Sequence, residues 1–370
     1  MKEMRKKLGD YITQRREKNT SDDLPICGVC REGLIPPKQQ DADISLYNVF
    51  YKNDFIFNPA RMELNSITLN TQHDKAICSS LYEIFYINDT SILLPEFLFV
   101  QLKTDNFIRF CEFQGQGSVR EYCRFANISE YPVIVPDIKE QQKIVDTYNA
   151  ITNRIRIKQK INENLEKTAQ CLFEELTKDK ENFETKTIEE ISDAVICGKT
   201  PSTTESKYWG NEIPFITIPD MHGSNFIHTT ERYLSIAGKQ SQEKQTLPKN
   251  SICVSCIATV GLVSLTTTES QTNQQINSII CKEGISFYYV FMLLKQMTDE
   301  LKRLGAGGST TLNVSKSLFA SIKLQLPNEE NMIFFDKKVS SLFSKILINE
   351  KEIEKLEALK MTVVSQISKR

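Results

Sequence analysis

PDIKEQQKIVDTYNAITNRIRIKQKINENLEKTAQCLFEEL, Pro136 to Leu176, and PNEENMIFFDKKVSSLFSKILINEKEIEKLEALKMTVVSQI, Pro327 to Ile367, superimpose without a gap at an offset of 191 residues. The overlay carries one apolar pattern onto another. In the first stretch Ile144, Tyr148, Ile151, Ile155, Leu165, Ala169, Leu172 and Leu176 alternate spacings of four and three apart from one interruption. Phe335, Val339, Leu342, Ile346, Ile353, Leu356, Val363 and Ile367 keep the same frame in the second, with a full heptad skipped after Ile346 and again after Leu356. That alternation is a heptad seam, so each stretch is predicted to be one helix of roughly 40 residues, about 60 Å long. The interruptions correspond as well, with Lys158 and Asn162 in the first seam and Asn349 opposite Lys158 in the alignment. Two readings stand for these polar positions: they fix the register of a helix pair at some cost in stability, or they mark a frayed, solvent-facing turn.

The duplication extends upstream of the helices. At the same offset Gly117-Ser118 meets Gly308-Ser309, and the strand-like YPVIVP (Tyr131 to Pro136) meets IKLQLP (Ile322 to Pro327). The two halves also begin alike, with KLGDYI (Lys7 to Ile12) and TIEEISDAVI (Thr187 to Ile196). Between these landmarks lie short β-branched and aromatic runs, VFYKNDFIF (Val49 to Phe57) and SICVSCIATVGLVSL (Ser251 to Leu265), and later helical stretches at Pro95 to Phe113 and Ile285 to Leu304. The expected architecture is α/β (α+β), an internal repeat with pseudo-two-fold symmetry. Domains are expected at 1–135 and 181–326, each followed by a long helix, at 136–180 and 327–370. A duplicated unit that closes on itself pairs its two helices as an antiparallel coiled coil, bringing Lys158, Asn162 and Asn349 together.

The totals fit a folded, water-exposed protein: 370 residues, 40% hydrophobic and 25% charged. The richest apolar run, Phe287 to Leu294, is too short to span a membrane, and MKEMRKKLGD carries no signal-peptide apolar region, so a cytoplasmic location is expected. The ten cysteines are then reduced thiols, most of them within apolar segments as small core residues. A formal net charge of −1 does not advertise a polyanion binder. Such binding requires basic residues gathered on one face, or a partner that supplies cationic surface.

The motifs that suggest catalysis fail on inspection. FQGQG (Phe113 to Gly117) resembles the glycine loop of S-adenosylmethionine-dependent methyltransferases, but there is no Asn/Asp-Pro-Pro-aromatic motif, and NPAR (Asn58 to Arg61) lacks the second proline. GKT at Gly198 to Thr200 would need a glycine where Asp193 stands to be a phosphate loop. Cys27/Cys30 and Cys253/Cys256 are CxxC pairs set far beyond zinc-ribbon spacing, and buried thiols are the expected reading. The three histidines, His73, His222 and His228, imply no triad, and Glu140 and Lys143 in PDIKEQQK are mis-spaced for a nuclease.

What remains resembles a known family, the specificity subunits of type I restriction-modification systems, over essentially the whole chain. In the second half GKTPS (Gly198 to Ser202), Tyr208-Trp209-Gly210, IPFITIPDM (Ile213 to Met221), LPKNSICVSCIATVGLVSL (Leu247 to Leu265) and TNQQIN (Thr272 to Asn277) look like that family's target-recognition motifs in their usual order. GGST (Gly307 to Thr310) and a proline-started long helix follow. The first half resembles another variant, through NPARMELNSITL (Asn58 to Leu69), ICSSLYEIF (Ile77 to Phe85) and PDIKEQQKIV (Pro136 to Val145). Asn65 stands where many relatives have glycine, and NEENM (Asn328 to Met332) replaces a Glu-Gln pair. The resemblance implies two target-recognition domains, each reading half of a split double-stranded DNA target, spaced by antiparallel helices. It implies docking of methyltransferase subunits, two of them, and of restriction/translocase subunits. It also implies no cofactor on this chain, S-adenosylmethionine and ATP belonging to the partners. Two other readings of the chain are a divergent DNA methyltransferase component and a coiled-coil scaffold that reads no DNA.

Reading DNA needs Arg, Lys, Asn or Gln on exposed loops or helices. Candidate DNA-binding residues are Arg61, Arg120 and Arg124 in the first domain, with Tyr122 between the last two, and Lys199, Lys207, Lys239 and Lys244 in the second. Each alone is more often an ordinary surface charge. Asn273, Gln274 and Gln275 have the chemistry to read adenine, but a structural turn is preferred for them, and a solvated helix face for Arg154, Arg156, Lys158 and Lys160.

Overall fold

Short apolar runs broken by Asn and Gly become strands, and where they break decides which sheet they join. VFYKNDFIF turns at Asn53, whose φ of +66° is the left-handed conformation that asparagine tolerates better than most residues. Its two ends therefore enter different sheets. The computed structural model describes residues 6–31, 33–37, 43–115, 122–178, 183–306 and 311–369. The chain divides into two units, Met1–Ile155 with Lys355–Arg370, and Arg156–Glu354. Both are mixed α/β.

In the first unit the strands are β1 (Ile12–Arg15), β2 (Ile26–Cys30), β3 (Gly33–Ile35), β4 (Asn48–Tyr51), β5 (Phe55–Phe57), β6 (Ile67–Leu69), β7 (Lys75–Cys78) and β8 (Glu83–Ile87). One antiparallel sheet has the order β1-β8-β5-β6, and the other the order β3-β2-β7-β4 with β2 and β7 parallel. Strand alternation divides the first sheet between two cores. Phe55, Phe57 and Phe85 pack with Phe97 and Phe107 of helices α1 (Pro95–Gln101) and α2 (Asp105–Gly115), while Ile56 and Ile84 pack with Phe50, Ala76 and Cys78 of the second sheet. Phe55 and Phe85 stack at 4.8 Å between centroids. A one-turn helix, α3 (Phe125–Ser129), leads to Pro132–Val133, which pairs with Lys6–Lys7 ahead of helix α4 (Ile138–Leu176).

The second unit repeats the plan. Its strands are β9 (Ser192–Cys197), β10 (Trp209–Ile216), β11 (Phe226–Ile227), β12 (Arg232–Leu234), β13 (Ile252–Ser255), β14 (Val263–Thr266), β15 (Gln271–Thr272) and β16 (Ile276–Cys281). They form a five-stranded sheet, β9-β16-β13-β14-β11, and a three-stranded one, β12-β10-β15. Ile252 and Val254 of β13 face the larger core, and Cys253 between them faces the smaller one with Ile216, Leu247 and Ile276. Helices α5 (Ile236–Ser241), α6 (Phe287–Gln296) and α7 (Thr298–Gly305) follow in chain order, and Lys323–Leu326 pairs with Glu184–Thr187 ahead of helix α8 (Glu329–Lys369). The two stretches expected to be helical each hold two helices, α1 with α2 and α6 with α7, the second pair separated by Met297.

Helix α4 has 39 residues and α8 has 41, about 60 Å each. In the second unit they run antiparallel. Lys158 Nζ lies 3.2 Å from Asn349 Oδ1 and 2.6 Å from Glu352, whereas Phe173, further along α4, meets Phe335 near the start of α8 at 6.0 Å between rings. Asn349 Nδ2 donates to Asn162 Oδ1 at 2.8 Å, with Asn349 fully buried. The polar positions of the seams thus meet one another, and the frayed-turn reading does not hold. Lys158 and Asn349 stand 191 residues apart, so the contact joins a position to its own counterpart in the repeat. In the first unit the seam residues Ile144, Tyr148 and Ile367 pack with Val145 and Val364 into the domain core.

Candidate nucleic-acid interface

In the first unit Arg61 sits exposed on the 3-10 turn Pro59–Leu64, which Asn58 caps by accepting from Ala60 N–H at 3.1 Å. The turn ends on Asn65, at φ +52°, whose buried amide donates to Leu102 O at 2.7 Å. Asparagine here adopts the left-handed backbone and also gains a tertiary hydrogen bond unavailable to glycine. Arg61 and Asn58 line an open cleft of about 800 Å³ whose wall includes Gly28, Arg31, Ser66 and Tyr82. Arg124 lies over the Tyr122 ring at 5.3 Å and pairs with Glu83 at 3.4 Å, so part of its charge is already balanced. Arg120 and Gly117-Ser118 lie outside the described residues, as do Gly307 to Thr310.

In the second unit the Gly198–Ser202 stretch is fixed by its backbone. Gly198 N–H donates to Ile276 O and Lys199 N–H to Thr272 O, while Gln242 Nε2 donates to Lys199 O at 2.8 Å. A Cβ on Gly198 would lie 2.2 Å from Asn273 O, which accounts for glycine. Lys199 is left exposed on this anchored loop, and Thr200 donates to Gln274 Oε1 at 2.7 Å. Asn273 accepts from Gln275 N–H at 3.0 Å and its own N–H donates to Ile216 O, the bonding of a structural turn. Lys207 pairs with Glu205 at 3.3 Å and lies over Tyr208 at 5.2 Å. Lys239 is held by Glu269 at 2.8 Å and Glu243 at 3.5 Å, which neutralises it locally, and Lys244 is exposed.

Two arginines escaped the sequence reading because their partners are distant in the chain. Arg15 bonds Asp54 through Nε at 2.6 Å and Nη2 at 3.1 Å and lies over both Tyr51 and Tyr86, a half-buried clamp on a buried carboxylate. Arg232 lies 3.5 Å above the Trp209 ring at the exposed rim of β12. The second domain is also fastened to both long helices by a polar cluster. Asn225 donates to Glu166 of α4 at 2.9 Å, Lys295 donates to Asn225 at 2.7 Å, and Glu350 of α8 accepts from Asn225 N–H and Ser224, both at 3.3 Å. Burial, and after it the neighbouring Glu166 charge, push the Glu350 carboxyl up to about 7.

Burial pushes the Cys253 thiol up to about 12 and Cys256 to about 11, as suits small core residues. Among the described residues no group of three or more His, Cys, Asp or Glu is placed to hold a metal ion, and no helix is long and apolar enough to cross a membrane.

The repeated plan defines a class of protein, a tandem pair of mixed α/β heads each continued into a long helix. Residues 28–167 and 180–358 match the family model described as the type I restriction modification DNA specificity domain. The specificity subunit of the type I restriction enzyme HindI from Haemophilus influenzae is 32% identical, over 78% of this chain and 79% of that protein. The MjaIX specificity subunit of Methanocaldococcus jannaschii is 30% identical over 46% of this chain and 40% of that one. The crystal structure of the type I restriction-modification S subunit from M. genitalium superimposes with a TM-score of 0.64, at 15% identity, over 98% of this chain and 95% of its own, a likeness of fold. The chain belongs to the type I restriction-modification specificity family, whose members are non-catalytic DNA-recognition components.

Proposed function

We propose that this chain selects the DNA target of a type I restriction-modification complex, its two heads each reading one half of a bipartite double-stranded site. The observation that carries the reading is the matched duplication, with the specificity model fitting once in each half of the chain. Arg61, Lys199 and Lys244 are the exposed candidates for DNA contact, and Arg120, outside the described residues, is a further one. Arg124, Lys207 and Lys239 act there only after exchanging a carboxylate for phosphate. Methyltransferase subunits, two per complex, dock on the long helices, and restriction/translocase subunits complete the assembly. S-adenosylmethionine and ATP bind those partners, and the complex works in the cytoplasm, where its DNA is.

The test is an exchange of residues 13–130 for the equivalent domain of a relative, followed by mapping of methylated sites in cells carrying the altered complex. One half of the methylated sequence is expected to change while the other half stays. A change in both halves, or in neither, would overturn the modular reading.

A further inference from the structure

Arg232 faces Phe215 in the β10–β12 register, and its guanidinium carbon lies 3.5 Å from the centre of the Trp209 ring. Trp209 in turn sets its edge against Phe215, fully buried, at 5.3 Å and 86°. The indole Nε1 donates to Ser202 O at 3.3 Å, tying the stack to the Gly198–Ser202 loop that carries Lys199. The backbone beneath the arginine is fixed too: Thr230 Oγ1 donates to Arg232 O at 2.7 Å, and Glu231 N–H to Asp220 Oδ1 at 2.8 Å. A guanidinium held over an indole face loses rotamer freedom but keeps the N–H donors at its edge free for a partner.

Several carboxylates of the same unit are already engaged. Glu205 is paired with Lys207, Glu212 accepts from Asn211 N–H, and Asp220 accepts from Thr217 and Glu231. Among the described residues no carboxylate lies within ion-pair distance of Arg232. It is therefore an exposed, oriented and unneutralised fork, unlike Lys239 with its two glutamates.

We infer that Arg232, held on Trp209, is a DNA-contacting residue of the second head, donating bidentately to a pair of acceptors. DNA offers such pairs as phosphate oxygens and as guanine O6 and N7. The inference rests on the specificity-subunit reading and deepens it, by naming a residue that sequence inspection passed over.

The experiment uses the chain assembled with its methyltransferase partner and compares Arg232→Ala, Arg232→Lys and Trp209→Phe with the parent. Affinity for target DNA is measured over a salt series and methylated sites are mapped. Arg232→Ala is expected to weaken target binding roughly 5- to 150-fold, the range of one bidentate contact. Arg232→Lys, which keeps the charge but not the fork, should recover only part of the loss. A base contact relaxes one position of a single half-site, whereas a phosphate contact lowers affinity alike on all sequences and reduces the salt slope by about one. Unchanged affinity, salt slope and methylated sequence in Arg232→Ala would overturn the inference, and so would a loss that a lowered thermal midpoint of the complex explains. If the parent complex itself selects no DNA, the specificity reading fails instead.

Discussion

Glu350 shows how a single buried carboxyl acts on the second unit. Its proton affinity is raised, to about 7, chiefly by burial beside Asn225 and Ser224, with Glu166 adding repulsion. A carboxyl raised on folding stabilises least where it is ionised: as pH climbs from the usual carboxylate range to about 7 the unfolded chain releases the proton first, so stability falls and then levels off. Glu350→Gln is expected to remove that decline, gaining on the order of 1–3 kcal/mol relative to the parent at pH 8 and little at pH 4. Urea unfolding at the two pH values measures it, and an equal effect at both would refute it. Glu350 looked like any helix glutamate in the sequence, because its neighbours on the domain lie about 125 positions away. The same distance hid the state of the cations. Lys239 and Lys244 read alike in a polar stretch, yet only Lys239 meets Glu269 from a remote turn. Residue type was legible; freedom to bind was not.

At the scale of the element, the long helices were the most legible part of the molecule, since a heptad is a local pattern that survives without tertiary context. What the seam concealed is that α4 and α8 each bury a second stripe. Phe173 packs on Tyr289 and Phe335, and Phe343 on Tyr288 and Phe291, so these rings dock the helices on the second domain. Neither phenylalanine belongs to the alternating set read from sequence. The centre of the seam is polar, and Asn349 is its hinge of specificity. Asn349→Ala strips Asn162 of its donor and Lys158 of an acceptor and should cost about 1–3 kcal/mol in denaturant unfolding. Asn349→Leu is expected to lose less stability but to leave the register less well defined, with broader amide signals along the seam. If both variants unfold like the parent, the buried amide pair contributes nothing.

For the whole molecule, the repeat was legible from a gapless offset, and the family motifs placed a head before each helix. The sheet orders were not legible, because pairings such as β9 with β16 or β10 with β12 join runs whose adjacency no local pattern encodes. The proposed function assigns the unread gap of the target to the helices. One heptad added to each helix at matched positions lengthens it by about 10 Å, or roughly three base pairs, while nearly keeping the seam in phase. Methylated sites of the altered complex should show a longer gap between the same two half-sequences, with partial loss of affinity as the heads rotate around the duplex. An active complex with an unchanged gap would assign the spacing elsewhere.

The contact of Lys158 with Asn349 carries one more implication, about ancestry and self-association. In a homodimer of two half-length chains, a position that touches its own counterpart would lie on the two-fold axis. Two first halves would set lysine against lysine. The carboxylate that now answers Lys158, Glu352, corresponds by the offset to Ile161. Two second halves would set asparagine against asparagine, a pairing whose amides can satisfy each other. The lysine therefore counts against two first halves pairing with each other, while Asn349 and Glu352 answer it in the mixed pair, which a gene split between the heads should still yield.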